Sequence, residues 1–499
     1  VEKKMTEPLA ARVLRRTPVV AAALLMVALA GCADMAGIGS QAKLRDASSL
    51  GLGIAADTNA AVVPNVDSQW WRAFGDTQLN TLIDQAVEGN PNLQVARARL
   101  VRAQASADIA ESALKPKVNG ELDLNRQKFN SNYIYPAPLG GSIQNIGLLQ
   151  LGASWELDFF GKNRTALDAA IGSANAAAAD ADAARVLLAS NVARSYFQWA
   201  RLNEQLGVAQ RTLAQRDETL KLVRDRVSAG LDTRLELRQS EGGLPEARQQ
   251  IEALNEQIAL QQHALDALVA RSNVSASLKP PMLETVKPIA LQANIPADLL
   301  GRRADIAAAR WRVEAATSDV ANAKTQFYPN VNLTAFVGFQ SLGFGKLLKS
   351  GSEQWGVGPA IHLPIFEGGR LRANLRGKAA DLDAAIESYN ATVLDAVRDA
   401  ADQVSSAQSL VRQQAEQRQA QTAAEGAYDI AVQRYRAGLG NYLNVLTAET
   451  AVLAQRRLAV DLAARALDTQ VGLARALGGG WQAPATSTAS APASRPALN

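Results

Sequence analysis

Arg226-Val-Ser-Ala-Gly-Leu231, followed by Leu235 and Glu241, recurs 208 residues later as Arg434-Tyr-Arg-Ala-Gly-Leu439, followed by Leu443 and Glu449. Two further landmarks recur in the same order. Leu157-Asp-Phe-Phe160 with Arg164 returns as Leu363-Pro-Ile-Phe366 with Arg370, and Lys115-Pro116-Lys-Val118 returns as Tyr328-Pro329-Asn-Val331. Three matched landmarks argue for an internal duplication, and a period this long excludes a solenoid. Each copy of the first motif closes a long stretch without proline, Gly161 to Ala229 and Gly368 to Ala437. At ~1.5 Å per residue each stretch predicts a helical rod of roughly 100 Å. Gly230 and Gly438 end the rods as C-terminal glycines do. Thr233 and Asn441 are set to cap the returning helices, so each rod ends in a tight helix hairpin.

The apolar seams of the rods repeat at alternating spacings of four and three, the pattern of coiled-coil packing. The first runs from Leu167, Ile171, Ala174, Ala178 and Ala181 through Leu188 and Val192 to Leu220, Val223 and Val227, with Arg185, Ser195 and Arg216 as polar intruders. The second shifts register from Leu371, Leu375 and Leu382 to Val393, Val397, Val404 and Val411. Gly242, Gly243 and Pro245 predict a bend in the first returning helix, serving either motion or nothing beyond a local irregularity.

Ahead of each rod stand two strands with period-2 alternation. Val118, Gly120, Leu122 and Leu124 alternate with Asn119, Glu121, Asp123 and Asn125, and Leu149 to Phe159 alternates likewise. Val331 to Phe339 and Trp355 to Ile365 form the second pair. Strands of about ten residues fit two architectures, a transmembrane barrel wall and a soluble sheet packed on helices. Four strands cannot close a barrel alone, so the first reading requires several chains.

The N-terminus reads as an address. Lys3, Lys4, Arg12, Arg15 and Arg16 precede an apolar run from Val19 to Ala30, which is too short to span a bilayer. Leu29-Ala-Gly-Cys32 completes a secretory signal and resembles a bacterial lipobox, with Cys32, the single cysteine, as the lipidated residue. Ala33 in place of aspartate resembles the outer-membrane-directed pattern. The expected organisation is a signal peptide over 1–31, a linker and equatorial segment over 32–75, and a first repeat over 76–270. A second linker over 271–295, a second repeat over 296–477 and a disordered tail over 478–499 follow.

The formal charge is +4, and the first 31 residues account for three of those charges, so the chain carries no electrostatic footprint for nucleic acid. Two histidines, His263 and His362, stand about a hundred residues apart and do not make a zinc site. No phosphate loop, nucleophile elbow or zinc-protease helix is present. The expectation is a protein without cofactor or metal that is not an enzyme.

Trp70-Trp71-Arg-Ala-Phe74-Gly-Asp76, Asn90-Pro-Asn-Leu93, Arg303-Ala-Asp-Ile306, Pro364-Ile-Phe-Glu-Gly-Gly-Arg370 and Tyr435-Arg-Ala-Gly438 then acquire a common meaning. In this order they resemble the TolC-type outer-membrane efflux channel family, in its OprM/NodT-like lipoprotein branch. Ala304 departs from the proline usual there. The resemblance implies an α+β membrane protein, a homotrimer whose chains each give four strands to a shared 12-stranded transmembrane β-barrel. The barrel would continue as a periplasmic α-helical coiled-coil tunnel. The implied function is the passive exit duct of a tripartite efflux system, conducting drugs or toxic solutes. Its partners would be a periplasmic adaptor, an inner-membrane pump of the RND type and outer-membrane lipid. Rival readings are the exit channel of type I protein secretion and a non-conducting envelope lipoprotein.

The family closes the periplasmic end with rings of aspartate and leucine on the returning helix. Leu443 falls on the leucine position, while Asn444 and Thr447 fall on the two acidic ones, so the negative field is missing there. Glu236, the repeat-equivalent of Asn444, either restores that charge as a ring or is a solvated helix residue. Arg226 and Arg434 bond helix-end carbonyls or tie neighbouring helices, and the turns at Gly230 and Gly438 are the expected docking surface for the adaptor.

Overall fold

The computed structural model describes residues 35–45, 66–287, 289 and 301–482. Cys32, the signal peptide and most of the tail lie outside the described residues. The elements in order are α1 (Thr77–Gly89), α2 (Pro91–Ser112), β1 (Lys117–Lys128), β2 (Ile143–Glu156), α3 (Lys162–Ser228) and α4 (Arg234–Val269). Then come α5 (Ala304–Thr325), β3 (Asn330–Leu342), β4 (Glu353–His362), α6 (Arg370–Arg436) and α7 (Tyr442–Ala476). The duplication is visible in the lengths. α2 and α5 have 22 residues each, α3 and α6 have 67 each, and α4 and α7 have 36 and 35. Among the described residues no helix is long and apolar enough to cross a membrane.

The chain divides into two compact units that each draw on both halves. The first holds residues 101–175 and 311–388 and so contains the sheet. Its order is β1-β2-β3-β4, antiparallel throughout, and the outer edges of β1 and β4 have no partner among the described residues. The register puts Leu122 opposite Leu149, Leu151 opposite Val337, and Val337 opposite Trp355. Opposed residues share a face. Val118, Leu122, Leu151, Val337, Trp355 and Val357 are therefore on one face, and all of them are exposed. The other face carries Asn119, Glu121, Gln150, Ser154, Thr334 and Gln354, with Gln354 Nε2 donating to Gln150 Oε1 at 3.2 Å. Both faces alternate as the sequence predicts.

In the same unit α3 meets α5 through Gly172. A Cβ there would stand 3.1 Å from the backbone of Ala315, so any larger residue would have to push the two helices apart. That contact corrects the expected seam. At the start of α3 the buried positions are Ala169, Gly172, Ala176 and Ala179, whereas Ile171 is 43% exposed. The stretch is so rich in alanine that hydrophobicity alone does not choose between registers; the glycine does. In α6 Leu410 is buried and Val411, expected in the seam, is 70% exposed.

The second unit, residues 44–100, 176–310 and 389 onward, holds the main apolar core. Trp70, Trp71 and Phe74 enter it on a short 3-10 turn, with Phe74 edge-on to Phe197 at 5.0 Å. Gly75 turns the chain with φ 73°. Asp76 then caps α1, accepting from Gln78 N and Leu79 N, and also accepts from Tyr196 Oη at 2.7 Å. Arg303 forks onto Asp305 at 2.7 Å and donates to the carbonyl of Ala476 at 3.2 Å. Ala304 is the first residue of α5. Proline suits that position because the first N–H of a helix has no partner to lose, so alanine there preserves the structure.

The bend expected at Gly242, Gly243 and Pro245 is not a break. α4 runs through Pro245. Arg216 reaches over from α3, donating to Gly243 O at 2.8 Å and to Glu246 at 2.8 Å, and so holds the helix on both sides of the proline.

Candidate functional site: the paired hairpin turns

Both turns are built by the same backbone chemistry. At the first, Gly230 N donates to Val227 O at 3.1 Å and Leu231 N to Arg226 O at 2.9 Å. At the second, Gly438 N donates to Tyr435 O at 3.1 Å and Leu439 N to Arg434 O at 2.8 Å. These are Schellman motifs, which satisfy the last carbonyls of a helix and require a left-handed residue. The glycines supply it, with φ 72° and 75°.

The caps fall where the sequence predicts. Thr233 and Glu236 form a capping box: Thr233 Oγ1 accepts from Leu235 N at 3.1 Å, and Glu236 Oε2 accepts from Thr233 N at 3.0 Å. The Thr233 contact holds the Glu236 carboxyl below its usual range. On α7, Asn441 Oδ1 accepts from Asn444 N at 3.1 Å. Leu443, Asn444 and Thr447 are exposed on one side of that helix, and Thr447 Oγ1 donates to Leu443 O at 2.9 Å. Tyr442, Val445 and Val452 face the other way, into an apolar cluster with Val223, Tyr428 and Tyr435.

The two hairpins are tied together at this level. Arg226 donates to Asp232 through Nε at 3.0 Å and Nη2 at 3.2 Å, and through Nη1 to the carbonyl of Tyr435 at 3.0 Å. Its guanidinium stacks 4.6 Å from the Tyr435 ring centroid. Tyr435 Oη in turn donates to Asp232. Burial pushes the Asp232 carboxyl up, but the hydrogen bonds from Arg226 and Tyr435 outweigh it and hold the group below its usual range. Arg226 therefore does both jobs expected of it, a helix-end carbonyl and a neighbouring helix. Arg434 does less: Nη2 reaches Leu439 O at 3.4 Å from an exposed position.

A second tie lies behind the turns. Arg216 bonds Glu449 of α7 at 2.9 Å and Glu246 of α4 at 2.8 Å, and the Glu449 side chain is only 10% exposed. Asp232 was not singled out from the sequence, and Tyr435 and Glu449 entered only as members of motifs, with no role in a tie between the hairpins. The available signal was the failure of the repeat: Tyr435 stands where the first copy has Val227, and Asp232 where the second has Gly440.

The arrangement has no nucleophile with a base; it is a mechanical joint between two helix pairs. Comparison with known proteins places the chain in a family. A profile of the outer membrane efflux protein family matches residues 82–271 and 295–479. The chain is 41% identical over 368 residues to the fusaric acid resistance protein FusA of Burkholderia cepacia, covering 71% of this chain and 68% of that one. It is 32% identical over 489 residues to the multidrug resistance outer membrane protein MdtQ of Escherichia coli O157:H7, covering 93% and 98%. The crystal structure of the outer membrane protein VceC from Vibrio cholerae superposes with a TM-score of 0.79 at 36% identity, over 83% of this chain and all of that one. The family match spans both halves of the chain, which belongs to the outer membrane efflux protein family.

Proposed function

We propose that the protein is the outer-membrane exit duct of a tripartite efflux system, conducting drugs or toxic solutes passively. One observation carries the reading: a sheet with an exposed apolar face, a polar opposite face and two unpaired edges. Unpaired edges invite strand pairing, and an exposed apolar face needs an apolar solvent. Three copies joining β1 to β4 would satisfy both, as a homotrimer with a shared 12-stranded barrel continued by a helical tunnel.

The lipid anchor at Cys32 is part of the same proposal. The chain shortly after it is strapped to α6 in the unit that carries the sheet: Ser40 Oγ, Gln41 N and Ala42 N all donate to Asp383 Oδ1, at 2.5, 2.8 and 2.9 Å. Such a strap would hold the acyl chains beside the barrel.

Leu443, Asn444 and Thr447 would form the periplasmic aperture, with Glu236 supplying charge in place of the missing acidic residues. Arg226, Asp232 and Tyr435 would hold that aperture closed. The turns at Gly230 and Gly438, with Arg226 and Arg434, would dock a periplasmic adaptor that delivers solute from an inner-membrane pump of the RND type. The test is planar-bilayer conductance of the purified acylated protein beside Glu236→Gln. Discrete channels, cation-selective and less so in the variant, support duct and charged ring together. Channels indifferent to the substitution keep the duct and discard the ring. Absence of channels in wild type and in Asp232→Asn alike overturns the duct.

A further inference from the structure

The two ends of the sheet differ in chemistry. Where the strands run into helices, exposed aromatics gather: Phe160 stacks on Tyr328 at 5.0 Å, and Phe366 is 90% exposed. Three basic groups there are already paired, Lys115 with Glu111 at 2.8 Å, Lys162 with Glu156 at 3.0 Å and Arg370 with Glu367 at 2.6 Å.

At the opposite end, where the loops connect the strands, the apolar face terminates in Arg126 and Lys128. Alternation puts them on the face of Leu122 and Leu124. The β3–β4 loop folds back onto this same face. Its buried Leu347 lies 3.2 Å from where a Cβ would stand on Gly147, and Leu124 lies 3.6 Å from that point. Gly343 N donates to Asn145 O at 2.6 Å, and Asn145 is directly opposite Arg126. The loop thereby brings Lys346 and Lys349 to the rim that Arg126 and Lys128 occupy, with Phe344 and Leu348 exposed on either side of Leu347. Among the described residues none of these four cations is ion-paired. The rim carboxylate Glu353 is engaged by Gly351 N at 2.7 Å.

An apolar band topped by unpaired cations complements a lipid that carries phosphate above its acyl chains. Each basic residue near an anionic surface contributes about fivefold to partitioning. We propose that Arg126, Lys128, Lys346 and Lys349 bind the phosphate groups of an anionic lipid in the leaflet away from the helices, with Phe344 and Leu348 among its acyl chains. The inference rests on the sheet being a membrane barrel wall. Leu347 seated over Gly147 presets the loop, so the site needs no rearrangement of the strands.

The experiment measures lipid retained by the purified full-length protein, by native mass spectrometry. The probes are a diphosphorylated glucosamine-based lipid and its dephosphorylated form. Wild type is expected to prefer the phosphorylated form by at least about tenfold. A variant with Arg126, Lys128, Lys346 and Lys349 all changed to glutamine is expected to lose the preference, whereas Lys115→Gln with Arg370→Gln keeps it. Excess inorganic phosphate is expected not to displace the lipid. Equal retention by wild type and the quadruple variant overturns the site, as does displacement by inorganic phosphate alone. Incorporation into neutral phosphatidylcholine vesicles is scored separately. Wild type and variant that both incorporate keep the barrel reading even if the lipid preference is absent. Wild type that does not incorporate overturns the barrel, and the site with it.

Discussion

At Gly230 and Gly438 the chain reverses with the same pair of hydrogen bonds and nearly the same φ, 72° and 75°. The side chains around the two turns have diverged. The first hairpin contributes Arg226 and Asp232, both nearly buried; the second contributes Tyr435, with no accessible surface, and leaves Arg434 exposed. After duplication the backbone fixed what a helix reversal requires, while the side chains specialised into the two halves of a joint. A joint of this kind needs unlike partners. A second copy of the first turn would set valine where Tyr435 meets Arg226.

The largest effect is expected from removing one side of the joint. Arg226→Ala or Asp232→Ala leaves a nearly buried charge without its partner, a loss of about 2 kcal/mol. In single-channel recordings the open fraction should rise at least about tenfold, since 1.4 kcal/mol is a factor of ten. Arg434→Ala should leave it unchanged; an equal rise there would mean that the turns have not specialised.

Next comes pH. The carboxyl of Asp232 is depressed in the folded protein, so its contribution is present above the unfolded value of about 4 and is lost as pH falls through the folded one. Conductance of the closed state should therefore be flat from about pH 7 to 5 and climb below about pH 4. Asp232→Asn should abolish the climb, and a wild-type transition near neutrality would exclude Asp232 as its source.

Backbone substitutions should treat the turns alike. Gly230→Ala and Gly438→Ala each force a Cβ into the left-handed region at about 1 kcal/mol. Thermal denaturation should show matched downward shifts, and a marked inequality would reveal an unseen contact at one turn. The smallest effect belongs to the caps. Thr233→Ala and Asn441→Ala should each cost about 1 kcal/mol or less, visible as faster hydrogen exchange in the first turns of α4 and α7. Unchanged exchange in both would show that neighbouring contacts, rather than the caps, hold these ends.

The sequence was readable wherever local chemistry decides structure. The rods, their terminal glycines, the caps at Thr233 and Asn441, and the two faces of the sheet all follow from spacing and residue type. It was opaque where the choice lay between equivalents. Along Leu167 to Ala181 alanine occupies several possible seams, and only the close approach of Gly172 to Ala315 selects one. Pro245 signals a bend, but not that Arg216 arrives from another helix to hold the chain on both sides of it. The joint is not legible from what the repeats share, because Asp232 and Tyr435 are where they disagree.

The equal length of α3 and α6, 67 residues each, has a consequence for how such a chain changes over generations. One residue inserted into either rod would carry its turn forward by ~1.5 Å and rotate it by about 100°. Arg226 would then face away from Tyr435, although every local interaction of each hairpin remained intact. Gains and losses of residues in one rod should therefore survive only when matched in the other, as two rulers cut to a common mark. A deep insertion scan of both rods would show this directly as a depleted class of single-residue indels, rescued pairwise.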